Sequence, residues 1–134
     1  MREHVDAPDE LLNRLRPICL ALPEAHEERA WVGTRWRIRA KTFAHVVPIA
    51  GGWPPAYARA ASSEGPVTVL TFRAPPHEHE ALRATGHPYF VPVWWDDIAG
   101  VFIDADTDWA EITELVIDSY RLLTPMKLRD KIGE

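Results

Sequence analysis

"EERAWVGTRWRIRAKTFAHVV", residues 27–47, decides the fold. Apolar and polar side chains alternate along it, and a period of two is the mark of strands with one face turned to a core. "EERAWV" (27–32) reads as a first strand and "VGT" (32–34) as a turn. "RWRIRAK" (35–41) reads as a second strand, with Trp36, Ile38 and Ala40 directed inward. "TFAHVV" (42–47) makes a third strand, closed by Pro48.

Upstream, residues 8–22 place Leu11, Leu12, Leu15, Ile18, Cys19 and Leu22 on one stripe of a helix. Asp9 or Asp6 caps its start and Pro23 follows its end. Pro17 cannot donate to the carbonyl of Asn13, so a kink or a break into two short helices is expected there.

Downstream, residues 48–66 concentrate Gly, Pro and Ser and read as a long loop, with a short helical turn around 57–61. "VTVLTFR" (67–73) is β-branched and bounded by prolines, the pattern of a central strand. Residues 76–85 form a short helix with proline in its first turn and Gly86 as C-terminal cap. An extended stretch, 88–95, leads to a last strand, 98–104. Asp108 and Glu111 then make a capping-box-like start to a helix over 108–123, which carries Trp109, Ile112, Val116, Tyr120 and Leu123 on one stripe and stops near Pro125. This order predicts one α+β domain over residues 1–134, an antiparallel sheet with helices packed on one face.

The 134-residue chain is of single-domain size, and its 46% hydrophobic residues are those of an ordinary globular domain. "MREHVDAPDE" (1–10) has no apolar core for a signal peptide, and no run is long enough to span a bilayer. Cys19 is the single cysteine, on an apolar stripe, which suits a reducing cytoplasm and a small buried hydrophobe rather than a nucleophile. The net charge of −5 is unevenly spread. Arg29, Arg35, Arg37, Arg39, Lys41 and Arg59 fall between residues 29 and 63 with no acid among them. The acids of residues 96–118 likewise occur without a cation.

The tempting reactive motifs fail on geometry. His77 and His79 stand two apart on a helix, about 200° around its axis, so they cannot chelate one ion. They are read as a solvated first turn. "DADTDW" (104–109) begins like a calcium loop, but Trp109 and Leu115 occupy the positions that require glycine and glutamate. Asp96 and Asp97 point apart and read as a turn. Gly51-Gly52 lacks the Lys and Ser/Thr of a phosphate loop. The expectation is a non-enzymatic monomer with no catalytic residues, no metal and no cofactor. Trp36 and Trp109 are assigned to the core, whereas Trp53, Trp94 and Trp95 are free to line a ligand groove.

Arg35, Arg37, Arg39 and Lys41 recur with period two, which puts four cations and no acid on one strand face. That stripe is the expected nucleic-acid contact. It would meet the backbone of double-stranded DNA with little sequence preference and a log–log salt slope of roughly −3 to −4. The alternative is a small anionic-ligand or protein-interaction module in which the basic strand and Trp53, Trp94 or Trp95 form a groove.

"LPEAHEERAW" with "RWRIRAKTFAHV", and "IAGVFIDADTDWAEITELVIDSYRLLTPMKL" near the C-terminus, resemble the MmcQ/YjbR family of small bacterial proteins, over about residues 12–128. The most specific features are the Leu-Pro-Glu start at Leu22, the Arg-x-x-x-Lys-x-Phe hairpin ending at Phe43, and Ser119-Tyr120 followed by Pro125 and Lys127. Ala40 stands where that family often has a turn glycine. The resemblance implies a CyaY/frataxin-like α+β fold and a DNA-binding role through a double-wing arrangement of hairpins.

Overall fold

The computed structural model of the chain describes residues 4–124. Its elements in chain order are α1 (Asp9–Leu20), β1 (Ala25–Arg29), β2 (Thr34–Ile38), β3 (Lys41–Ile49) and α2 (Pro55–Ala61). They continue with β4 (Val67–Arg73), α3 (Pro76–Thr85), β5 (Tyr89–Phe90), β6 (Ile98–Ile103) and α4 (Trp109–Leu123). The strands form one sheet in the order β1-β2-β3-β4-β6-β5, antiparallel throughout. The α+β class read from the sequence is the fold observed.

Strand alternation divides the core in two. Trp36, Ile38, Val46, Leu70, Phe72, Val101 and Ile103 face α1 and α4, which bring Leu11, Leu15, Ile112, Val116 and Tyr120 onto them. Val47, Ile49 and Val69 have the opposite parity and form a second cluster beneath the 50–61 segment, with Trp53, Tyr57 and Ala61. The expectation that helices lie on one face holds for α1 and α4, while the short α2 covers part of the other.

α1 runs through Pro17 without the expected break. Pro17 is exposed, so the carbonyl that it leaves unpaired can be met by water. Neither expected acid caps this helix. Pro8 occupies the N-cap, and Asp6 instead accepts from the hydroxyl of Thr34 at 2.8 Å and 3.0 Å. α4 begins as read, with Asp108 accepting from the backbone N–H groups of Ala110 and Glu111.

α4 locks onto the sheet through Ser119 and Tyr120. The Ser119 hydroxyl donates to the Phe43 carbonyl at 2.6 Å and accepts from the Arg73 N–H at 2.8 Å, joining β3 to β4. Trp36 pairs with Ala44 and Arg37 with Thr42, so Phe43 is the extra residue of a bulge, and Phe43 and Ala44 are both buried. Tyr120 meets the Phe43 ring edge-on and donates to the Pro23 carbonyl at 2.7 Å. Thus three segments that carry the family resemblance meet at one point. Pro125 and Lys127, the remaining part of that signature, lie outside the described residues.

Candidate nucleic-acid and anion interface

β2 stops at Ile38, and a two-residue turn, Arg39-Ala40, leads into β3 at Lys41, opposite Ile38. The four cations therefore do not share one strand face, contrary to the reading of "RWRIRAK" as a single strand. Paired residues share a face, so Lys41 lies on the face of Ile38 and not with Arg35 and Arg37; the bulge at Phe43 then restores the alternation at Ala44 and Val46, and periodicity passes over the turn unnoticed. Arg39 adopts φ 56°, the left-handed conformation usually left to glycine at the first position of a II′ turn. Only the family resemblance, with its hairpin motif, marked the turn.

The stripe is also not free of acid. Glu28 on β1 stands opposite Arg35 and accepts from its Nε at 2.9 Å and Nη2 at 2.5 Å, and from Arg37 Nη1 at 3.3 Å. His26 Nε2 lies 3.6 Å from the same carboxylate. Hydrogen bonding from Arg35 above all holds the Glu28 carboxyl below its ordinary range. Arg37 also donates to the carbonyl of Ala40, bracing the turn. At the tip, Arg39 lies 3.8 Å from Glu24 with a 64% exposed side chain, and Lys41 is exposed. Glu24 and Glu28 precede the acid-free stretch in sequence, so no linear scan of that stretch could bring them in.

Deeper along the same sheet face lies a concavity of about 140 Å³ between β2, β3, β4, β6 and α2. Arg35 and Arg73 stand at its rim, His45 and Tyr57 at its back. His45 Nε2 donates to the Val32 carbonyl at 2.7 Å, so its Nδ1 is free to accept from the Tyr57 hydroxyl at 3.3 Å. Arg73 donates from Nε to the Thr42 carbonyl and from Nη1 to Asp97 at 2.8 Å. None of His45, Tyr57 and Arg73 was singled out in the sequence. The signal available was parity: Thr71 and Arg73 on β4 are polar at alternate positions, on the face that Val69 shares.

Burial holds His45 below the ordinary imidazole range, aided by the Arg35 guanidinium and opposed by the Val32 carbonyl and Asp6. The folded imidazole is therefore neutral where the unfolded one, with a pKa near about 6.5, already takes a proton. Stability from this group is present above that pH and is lost as pH falls toward the lower, folded value. The loss approaches about 1.4 kcal/mol per pH unit in that window. Unfolding titrations between neutral and mildly acidic pH should show a flatter stability profile for His45→Gln than for the parent protein. Parallel profiles would mean that His45 is not the titrating group.

The three tryptophans expected in a groove occupy two neighbourhoods. Trp53 lies against the exposed Trp31, ring centroids 5.3 Å apart, next to the β1–β2 turn. Trp95 lies against Phe90 of β5 at the opposite edge of the sheet, and Trp94 is exposed beside it. Of the two core assignments, Trp36 is fully buried, its indole N–H donating to Glu27. Trp109 is half-buried under the Arg14 guanidinium.

His79 is buried, with Nε2 donating to the Ala74 carbonyl, so of the two histidines read as a solvated turn only His77 is exposed. Burial pushes the Cys19 thiol up, as suits a core residue. Among the described residues, no group of three or more His, Cys, Asp or Glu side chains is placed to hold a metal ion. No helix there is long and apolar enough to cross a membrane. A larger cleft of about 900 Å³ opens at the far end of the sheet, where Glu10, Asp104, Asp106, Asp108 and Glu111 gather. The acids of residues 104–111 are thus at the end of the strands away from the hairpin tip, whereas Asp97 of the same acidic stretch sits on Arg73.

The YjbR family model matches residues 20–122. The fold is similar to the crystal structure of a Pseudomonas syringae protein at 14% identity, covering 88% of this chain and 99% of that one with a TM-score of 0.59. It is also similar to a Deinococcus radiodurans protein with a DUF419 domain at 17% identity, covering 91% and 87% of the two chains with a TM-score of 0.60. No curated protein matches.

Proposed function

The chain belongs to the YjbR family, and on that footing we propose that it is a non-enzymatic DNA-binding protein that touches the duplex backbone through the β2–β3 hairpin. The observation that carries this reading is the hairpin tip, where Arg39 and Lys41 project into solvent on a braced turn. Arg35 and Arg37 sit behind them but share Glu28, so their charge is largely spent within the protein. The acids around the far cleft orient the molecule with its tip toward a polyanion. Backbone contacts of this kind confer little sequence preference. The same reading takes the protein as a monomer of the bacterial cytoplasm, and a single cysteine that lies in the core suits a reducing compartment.

With two exposed cations rather than four, and Arg39 only loosely paired with the exposed Glu24, the log–log salt slope should be roughly −2 at most. Fluorescence anisotropy on a short duplex at several salt concentrations measures it. Glu28→Gln releases Arg35 and Arg37 and should steepen the slope toward roughly −4. The double substitution Arg39→Glu, Lys41→Glu should abolish binding and leave the fold intact, since both side chains are exposed. A double variant that binds as tightly as the parent, or a parent that does not bind even at low salt, would overturn the reading.

A further inference from the structure

The concavity beside the hairpin has the chemistry of a separate site. We propose that it binds the carboxylate of a small organic acid, which takes the place of Asp97 on Arg73. At about 140 Å³ it has room for about four or five non-hydrogen atoms, judged by the share of volume a water takes. Ile98, the cross-strand partner of Arg73, and the Tyr57 ring give it an apolar wall, which suits a short hydrocarbon tail. Its polar rim holds two guanidiniums, the usual partners of a carboxylate.

The bonds that hold these guanidiniums in place leave a terminal nitrogen of each uncommitted. Arg35 spends Nε and Nη2 on Glu28, and Arg73 spends Nε and Nη1 on Thr42 and Asp97. The two carboxylates differ in how firmly they are held. Glu28 is shared by Arg35, Arg37 and His26 and stays in place. Among the described residues Asp97 has one cationic partner, Arg73, and its side chain is 59% exposed, so water can solvate it once it is displaced.

Displacing Asp97 frees one positive charge, which matches a monoanion. A dianion such as phosphate would be left under-compensated, because the neutral His45 adds no charge and its Nε2–H is already committed to Val32. The charged groups facing the site are then Arg35 on β2, Arg73 on β4, Glu28 on β1 and Asp97 before β6. This site is independent of the exposed hairpin tip.

Amide chemical-shift titrations of the whole protein with sodium propionate, and separately with inorganic phosphate, test the assignment. Propionate should produce saturable shifts at Thr42, His45, Thr71 and Arg73. Asp97→Asn, which removes the competing charge from an exposed position, should tighten propionate binding roughly two- to fivefold. Arg73→Gln should lose it. Arg39→Glu, Lys41→Glu should leave it unchanged, so that failure of the DNA reading does not touch this one. The inference is overturned if propionate gives no saturable shifts at these residues. It also falls if Asp97→Asn binds no more tightly than the parent, or if phosphate saturates the site in preference to propionate.

Discussion

Replacing Gly33 by alanine should cost the fold about 2–5 kcal/mol, from a left-handed backbone penalty and a forced displacement in a packed interior. Gly33 has φ +73°, and a Cβ built on it would stand 1.9 Å from the Val46 carbonyl oxygen. That oxygen belongs to β3, an interior strand paired with β2 and β4, so neither partner can retreat cheaply. The turn is held from the other side as well. Gly33 N–H donates to Val5 at 2.7 Å, and its carbonyl accepts from Ala30 and from His4 Nε2.

Gly51 is the internal control. It has φ +60° but open space where a Cβ would go, so Gly51→Ala should show only the backbone penalty of about 1–2 kcal/mol. Urea unfolding of the two variants checks this through the difference in midpoints at unchanged slope. Equal losses would mean that the contact with Val46 relaxes freely. A variant that fails to fold would agree with the prediction only if Gly51→Ala folds under the same conditions.

Ser119→Ala should be the second large effect, about 2–5 kcal/mol, although it removes a single oxygen atom. The hydroxyl is fully buried and satisfies two backbone groups at once, the Phe43 carbonyl and the Arg73 N–H. Each group left unpaired in the interior costs about 1–3 kcal/mol. Because Arg73 is anchored through that N–H, the substitution should also loosen the concavity that Arg73 borders. Denaturant unfolding gives the stability change, and hydrogen exchange at Arg73 gives the local one. A loss within about 0.5 kcal/mol of the parent, with Arg73 still protected, would show that neither bond matters.

Much of the fold was legible because it rests on local chemistry. The apolar stripe of α4 and the Asp108 cap fix a helix from neighbours three and four residues apart. Val67–Arg73 is a strand because β-branched residues between two prolines leave little else. The α+β class follows from such elements in order, since each must bury one face against another.

The candidate site was legible only as a list of cations. Arg35, Arg37, Arg39 and Lys41 could be seen, but their charge depends on Glu28 and Glu24, which reach them through strand pairing and hairpin closure. The Arg39-Ala40 turn escaped because the bulge at Phe43 brings the alternation that it inverts back into phase, and arginine gives no sign of a positive φ. The concavity needed five separate elements to meet, with Arg73 committed to Thr42 and Asp97 across intervals of 31 and 24 residues. Sequence by itself determined the order and type of the main helices and strands, though not the bounds of β1 and β2, and which residues carry charge. Tertiary structure decided which charges are spent inside the protein and which stay free, because ion pairing falls off with distance in space and takes no account of distance along the chain.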